Sequence, residues 1–316
     1  MAALGVLLAA GAVAATVLEL TGGEVHVVPN SVAVIDARSH KLVADIPVGT
    51  RPTALAVDER GVWVVNAGDG TVSHIDPKTR KVVKTIGTGG ELSDIVAGYG
   101  SVWVGNGNDG TLTRIDPDLD AVVATIRLGG KNALNPQPVF SVATGERSVW
   151  ATSGTRVVQI NPETNDVTRR IPLGSVLALT VGDGAVWVTT ISERMLRLEP
   201  TTGVVTARIS VPAEVSDAIA GGGRLWTILA VGRGEVWRFD PDSGTPSGTA
   251  HPGDSPSDLW LTPTALWVAN RGDGTVARID PASGQVREVV RVGQQPTAVA
   301  AADGFVWVSV QPRAST

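Results

Sequence analysis

The sequence predicts an all-β fold in which seven four-stranded sheets form a closed ring and strands from both ends of the chain complete the last sheet. The main observation is a tryptophan, preceded by Val or Leu, that recurs every 37 to 47 residues, at Trp63, Trp103, Trp150, Trp187, Trp226, Trp267 and Trp307. An Ile-Asp-Pro motif or a close variant follows most of these tryptophans, and the phrase Gly-Asp-Gly-Thr-Val occurs at 68–72 and again at 272–276. A period of about 20 to 50 residues is typical of repeat folds.

Each repeat is predicted to contain four short strands. In the first complete copy, from the centre of the ring outwards, they are 53–57, 62–66, 71–76 and 82–86. Asp69-Gly70 predicts a tight hairpin between the second and third strands, because glycine adopts positive φ at little cost. A phosphate-binding loop with the same glycines would need a following helix, and none is predicted here.

The two ends of the chain hold complementary halves of one repeat. The copy that contains Trp307 has no third and fourth strands, whereas residues 31–48 hold a third and a fourth strand with no first or second. Pairing the two halves closes a seventh sheet, and closure protects sheet edges. We therefore expect the ring to span 31–312, with a linker at 23–30 and a tail at 313–316.

The first 22 residues differ from the rest of the chain. They are mainly Ala, Leu and Val, with Glu19 as their only charge. This length of apolar sequence is close to the minimum that spans a bilayer. A signal peptide is the alternative, although its usual basic beginning is missing. Residues 1–22 are thus predicted to be a transmembrane anchor or signal-like segment, with the ring outside the cytoplasm, at the cell membrane or secreted.

Composition excludes several kinds of site. The chain has no cysteine, which excludes disulfides, thiolate metal ligands and a cysteine nucleophile. Its formal net charge is −5 and it has no basic run. Because affinity for nucleic acid depends on clustered Lys and Arg, we expect no nucleic-acid partner.

Three segments resemble the β-propellers built from YVTN-type repeats: 62–86, 102–126 and 266–290. The resemblance extends over about 31–311, and it implies a seven-bladed β-propeller. Similar propellers lie outside the cytoplasmic membrane, sometimes joined by one transmembrane helix to a kinase or transcription-regulator domain. Because the sequence shows no acid-base or nucleophile constellation, we expect a non-catalytic, membrane-tethered propeller that binds a protein, peptide or glycan on one face. A sensor domain of a kinase or transcription regulator is an alternative.

The same fold family includes the streptogramin (virginiamycin B) lyases, which use a divalent metal. In those enzymes a Pro-His pair starts the innermost strand, and a metal-binding Glu stands three residues after the blade tryptophan. The histidine position here holds Thr53, Ser93, Ser216, Ser257 and Thr297, and the glutamate position holds Asn66, Asn106, Ser153, Thr190, Leu229, Asn270 and Val310. Neither pattern is present, so a metal-dependent lyase or hydrolase is only an alternative.

Three predicted innermost strands begin with Ser-Asp, and their aspartates are Asp94, Asp217 and Asp258. Innermost strands surround the channel of a propeller, so we expect these carboxylates to lie near one mouth of it. Calcium and magnesium prefer oxygen ligands, which makes the three residues a candidate metal site. The alternative is that each aspartate accepts backbone N–H bonds from a neighbouring blade.

Candidate ligand-binding residues come from two further features. Trp260 replaces a small residue in an innermost strand, where it would form a ligand wall or plug the channel, and Trp237 occupies a third-strand position. The connection 129–138 is the longest between repeats, and long loops on rigid scaffolds often bind partners. Its candidate residues are Lys131, Asn132, Asn135 and Gln137.

Two sets of charged residues are predicted to have structural or solvated roles. An arginine recurs just before the Ile-Asp-Pro motif and is expected to bridge adjacent blades or lie on a solvated face, at Arg114, Arg197, Arg238 and Arg278. No two histidines have metal-ligand spacing. All four are expected to be solvated surface residues: His26, His40, His74 and His251.

Overall fold

A computed structural model of the protein describes residues 25–129, 137–192, 194–229 and 234–313. Its 28 strands form seven separate four-stranded antiparallel sheets, and the described residues contain no helix. The first strand of each sheet contacts the first strands of the two neighbouring sheets, and this series of contacts closes on itself. The protein is a seven-bladed β-propeller, which confirms the predicted fold.

The strands follow in chain order. Strands β1 and β2 span Ser31–Asp36 and Lys41–Pro47. Blade one contains β3 to β6, which span Pro52–Val57, Val62–Asn66, Thr71–Asp76 and Lys81–Gly87. Blade two contains β7 to β10: Leu92–Gly98, Ser101–Asn106, Thr111–Asp116 and Ala121–Arg127. Blade three contains β11 to β14: Val142–Gly145, Ser148–Ser153, Arg156–Ile160 and Val167–Pro172.

Blade four contains β15 to β18: Val176–Gly182, Ala185–Thr190, Arg194–Leu198 and Val205–Ser210. Blade five contains β19 to β22: Val215–Gly221, Arg224–Leu229, Val236–Phe239 and Pro246–Ala250. Blade six contains β23 to β26: Pro256–Leu261, Leu266–Asn270, Thr275–Ile279 and Val286–Arg291. Blade seven combines β27 and β28, at Gln295–Ala302 and Phe305–Gln311, with β1 and β2.

Blade seven is closed by both ends of the chain, as the sequence predicts. Its strand order is β2-β1-β28-β27. Strands β1 and β28 run antiparallel in an unbroken register from Ser31 opposite Val310 to Asp36 opposite Phe305. Backbone hydrogen bonds therefore join the ends of the ring, and the seam has the same construction as the interior of every other blade.

Antiparallel order within each blade separates two faces of the ring. The hairpin between second and third strands lies at the same end as the connector that enters from the preceding blade, and we call this end the connector face. The other two hairpins of each blade lie on the opposite end, the hairpin face. The turn 67–70 belongs to the connector face, and Gly70 in it has φ of 62°, as the predicted hairpin requires.

The apolar core lies between the blades. Seven buried clusters each join one face of a blade to the facing side of the next, and the repeated tryptophans belong to them. Each of these tryptophans is on the second strand of its blade, and all seven are buried. Large aromatic side chains contribute much of the apolar area that stabilises such a core, which explains why this position repeats.

Residues 25–30, predicted as a linker, contact the ring. Val27 is buried in the cluster between blades six and seven, and the N–H of Val28 donates to Asp45 on β2. Val25 lines an outer groove between these two blades, together with Lys41 and Leu42. The predicted anchor at 1–22 lies outside the described residues. Among those that are described, no helix is long and apolar enough to cross a membrane.

Candidate functional site

A cavity of about 450 Å³ opens at the centre of the connector face. Six small hydroxyl residues at or just before the starts of the innermost strands surround it: Thr53, Ser93, Ser141, Ser216, Ser257 and Thr297. The three predicted aspartates also line it, together with Phe140 and Glu214 on its rim. The structure thus brings Asp94, Asp217 and Asp258 to one mouth of the channel, on blades two, five and six.

The carboxylate of Asp94 joins blade two to blade three. Its Oδ1 accepts the N–H of Ile95 on its own strand at 2.8 Å. Its Oδ2 accepts the N–H of Val142, on the innermost strand of blade three, also at 2.8 Å. The N–H of Val142 has no main-chain acceptor on the neighbouring sheet, and the Asp94 carboxylate accepts it instead.

The other two aspartates make the same kind of connection three and four blades further round the ring. Oδ2 of Asp217 accepts the N–H of Leu259 at 3.1 Å, which links blades five and six. Oδ2 of Asp258 accepts the N–H of Val299 at 2.6 Å, which links blades six and seven. In the structure, each of the three aspartates therefore accepts a backbone N–H from the next blade, as the alternative interpretation describes.

Burial raises the pKa of all three carboxyl groups. The pKa of Asp94 rises to about 6 and that of Asp217 to about 7. The pKa of Asp258 also lies well above its usual value, because burial and the negative charge of Asp217 both disfavour ionisation. Backbone N–H donors act in the opposite direction, but their effect is smaller than that of burial.

Hydroxyl groups around the mouth also bind neighbouring blades. Thr297 Oγ1 donates to the carbonyl oxygen of Pro52 at 2.7 Å, across the seam between blades seven and one. Ser257 Oγ donates to the carbonyl oxygen of Pro296 at 3.1 Å. Most polar groups of the mouth thus stabilise the ring itself.

The candidate ion at this mouth, calcium or magnesium, stays a prediction. Within the described ranges, no group of three His, Asp or Glu side chains is arranged to hold a metal ion. Both carboxylate oxygens of Asp94 and of Asp217 already accept backbone hydrogens. A cation would have to compete with these bonds and with the raised pKa values.

We expect millimolar calcium or magnesium to leave the Tm of the full chain equal to its Tm in EDTA. The physical reason is that the three carboxyl groups are engaged between blades and favour protonation. A thermal melt detects this well, because a ligand at a hundred times its Kd stabilises a folded protein by about 2.7 kcal/mol. A clear rise in Tm that Asp217→Ala removes would contradict the expectation and support a metal-dependent lyase or hydrolase.

The two predicted ligand tryptophans lie apart from the mouth. Trp260, on β23, packs against the cluster between blades six and seven and also against the cluster between blades seven and one. It is not among the residues that line the cavity. Trp237, on β21, packs between blades four and five, and its Nε1 donates to Glu235 at 2.9 Å.

The long connector supplies little of the described mouth. Lys131, Asn132 and Asn135 lie outside the described residues. Gln137 is exposed on the connector face. The sequence reasoning did not single out Phe140, which ends this connector and is 51% exposed at the rim of the cavity. Its signal was present, since Phe140 stands where five of the other six blades have Ser or Thr and blade four has Leu177.

On the hairpin face, the residue just before the Ile-Asp-Pro motif can join two adjacent blades, and we call its place in each repeat the clamp position. Arg114 lies over Trp103 at 5.0 Å and donates to the carbonyl oxygen of Pro162 on blade three at 2.8 Å. Arg238 lies over Trp226 and donates to the carbonyl oxygen of Ala282 on blade six at 2.8 Å. For these two arginines the predicted bridging role is confirmed.

His74 corrects one expectation. The sequence predicted a solvated surface histidine, but its side chain is buried and stacked on Trp63, with ring centroids 3.9 Å apart. Its Nδ1 lies 2.6 Å from Oδ1 of Asp120 on blade two. His74 occupies the clamp position of blade one, so the repeat alignment and not the residue type indicates its role.

Comparison with known proteins adds no relative. No protein-family model matches the chain, and no curated protein matches it. The fold and the geometry of the connector face therefore carry the functional interpretation.

Proposed function

We propose that this protein is a non-catalytic binding propeller that recognises a protein, peptide or glycan on its connector face, outside the cytoplasm, tethered by its N-terminal segment. The observation that carries the proposal is the rim of the central cavity. Phe140 is 51% exposed there, and Glu214, whose carboxylate is also exposed, lines the same cavity. Exposed aromatic residues next to polar groups are typical of recognition surfaces.

The polar groups inside the mouth support a binding role over a catalytic one. General acid-base or nucleophilic catalysis needs side chains that are free to reach a substrate. The serine hydroxyls and aspartates here donate to or accept from main-chain groups, several of them on the next blade. We infer that their role is to hold a rigid surface that presents the exposed rim residues to a partner.

A further exposed apolar residue lies on the connector face. Ile191, in the turn between β16 and β17 of blade four, is 55% exposed. The acidic and apolar character of the rim fits a partner with basic and apolar groups. The location outside the cytoplasm and the tether rest on the apolar sequence of residues 1–22.

Phe140→Glu is expected to weaken capture of partners from cell-envelope extract at least about tenfold, a loss of about 1.4 kcal/mol. The readout is quantitative mass spectrometry of material retained by the immobilised full chain. Leu119→Glu is the matched control, because Leu119 is 68% exposed on the hairpin face and should leave capture unchanged. Equal losses in both variants, or none in either, would contradict recognition by the connector face.

A further inference from the structure

The outer rim of the propeller is basic, although the chain as a whole is acidic. The chain contains 26 Lys and Arg residues against 31 Asp and Glu. In the outermost strand of each blade this balance is reversed. The only acidic residues of these strands are Asp45 and Glu288, whereas their basic residues are Lys41, Lys81, Lys84, Arg127, Arg169, Arg170, Arg208, Arg287 and Arg291. The sequence shows no basic run because no outermost strand contributes more than two of them.

Three consecutive outermost strands, β26, β2 and β6, surround the place where the described chain begins. Residues 25–27 lie in an outer groove of about 760 Å³ between β26 and β2, and β2 contacts β6 of blade one. Val27 and Val292 form buried parts of the groove wall. Among the described residues that line the groove, Lys41 and Arg291 are basic and none is acidic. The groove thus combines apolar walls with positive charge.

The basic side chains around the groove are available to a partner. Four of them are exposed and make no ion pair or hydrogen bond with a described residue: Lys41, Lys81, Lys84 and Arg291. Exposed valines lie on the same strands, since Val83 is 51% exposed on β6 and Val289 is 53% exposed on β26. Lys and Arg beside exposed apolar residues are typical of surfaces that lie at the interface of a membrane.

The acidic residues of these three strands already have partners. Asp45 accepts a backbone N–H and a serine hydroxyl from the first residues of blade seven. Glu288 lies 3.7 Å from Nδ1 of His40, and Asp280 lies 3.7 Å from the guanidinium of Arg287. The unpaired charge on this part of the outer rim is therefore positive.

Charge and the position of the chain together select the partner. Near a layer of anionic lipid headgroups, each Lys or Arg adds to the attraction. Residues 1–22 are apolar and are predicted to hold the chain at a membrane, and only two residues separate them from Val25 in the groove. The unpaired positive charge thus lies where a membrane that holds this segment would meet the ring.

We propose that the outer rim of blades six, seven and one docks on an anionic lipid surface. Its docking surface consists of Lys41, Lys81, Lys84 and Arg291, which contact headgroup phosphates, with Val83 and Val289 between them. The proposal rests on the membrane tether of the proposed function and adds a second contact with the same bilayer. An apolar segment and a basic patch together hold a protein at a membrane more firmly than either does alone.

The test uses one fluorescent label on the full chain, which has no cysteine of its own. The label is attached to Val83→Cys on the docking surface or to Val204→Cys, which is 58% exposed between β17 and β18 of blade four. Each protein is incorporated into phosphatidylcholine vesicles, with or without phosphatidylglycerol, that contain a lipid with a quencher on its headgroup. With phosphatidylglycerol, the label at 83 should be quenched at least about twofold more than the label at 204. Molar salt should remove this excess, because it screens charges beyond about 3 Å.

Charge reversal tests the named side chains. Lys84→Glu combined with Arg291→Glu should reduce the quenching at 83 to its level in phosphatidylcholine alone. Arg194→Glu combined with Arg208→Glu is the matched control and should leave the excess unchanged. Both of these arginines are exposed on blade four, far round the ring, and the change in net charge is the same. All four side chains are exposed, so Tm should stay equal in the two variants.

Two results would overturn the docking surface. These are equal quenching of the two labels in vesicles with phosphatidylglycerol, and an excess at 83 that survives Lys84→Glu with Arg291→Glu. The tether is judged separately by binding to vesicles of phosphatidylcholine alone, which carry no net charge. A chain that binds these vesicles and shows equal quenching is tethered but not docked. Recognition by the connector face is judged by Phe140→Glu, which leaves the docking surface intact.

Discussion

Deletion of residues 1–48, which removes β1 and β2, is expected to abolish cooperative folding. Four residues of β1, from Val32 to Ile35, are fully buried in the clusters on both sides of blade seven. At about 1.5 to 3 kcal/mol for each large apolar side chain, their loss costs on the order of 6 kcal/mol or more. Typical domains are stable by only about 5 to 15 kcal/mol. Far-UV circular dichroism and thermal melting would show a chain without a sharp transition.

A circular permutant supplies the control. The N–H of Asn30 lies 3.0 Å from the carbonyl oxygen of Val310, so a short glycine linker from Arg313 to Val28 would turn β28 and β1 into an ordinary hairpin. This permutant, with its new ends at the connector 48–51, contains every strand and should melt cooperatively. A deletion variant that melts like the permutant would show that the seam contributes little to stability.

Stability is expected to fall as pH rises from about 4 to 8, because three buried carboxyl groups bind protons more tightly in the folded chain than in the unfolded one. The pKa of Asp217 is about 7 when folded, against its ordinary value of 3.8. A group with a raised folded pKa stabilises fully below its unfolded pKa, and this contribution is lost as pH passes the folded value. The full shift corresponds to roughly 4 kcal/mol. Because the side chain is partly exposed in the cavity, we expect about half of that.

The measurement is the free energy of unfolding by urea at intervals across this pH range. Asp217→Asn, which cannot ionise, should flatten the slope between about pH 5 and 8, whatever its effect on absolute stability. Asp240→Asn is the control. The pKa of Asp240 is lowered by hydrogen bonds from Ser243, so it stays ionised across this range and should leave the slope unchanged. A wild-type profile that rises with pH would refute the interpretation of the buried carboxyl groups.

The ring could be predicted because the sequence of each blade carries local signals for its strands and turns. The predicted strands 62–66 and 71–76 match β4 and β5 residue for residue. Blade closure also followed from the sequence, since residues 31–48 contain half of a repeat. The innermost position of Asp94 and its two counterparts was enough to place them at one mouth of the channel.

The rest depends on contacts that no single repeat encodes. His74 is buried because Trp63 lies beneath it and Asp120 approaches from the next blade. Trp260 contacts two clusters because the neighbouring strand β27 carries small residues. The two strands belong to different blades, so their contact cannot be read from one repeat.

The path of the chain into blade seven has a consequence for how the ring would be oriented if residues 1–22 were held in a membrane. From Asn30, at the connector face, residues 25–30 run back along the outer groove beside β2, so the chain leaves the ring through its rim. Only two residues would separate Val25 from an anchor at 1–22, a reach of at most roughly 10 Å. A bilayer that held this anchor would contact the propeller at its outer rim, with the ring axis parallel to the membrane. Both flat faces would then point along the membrane plane, open to molecules that diffuse laterally beside it.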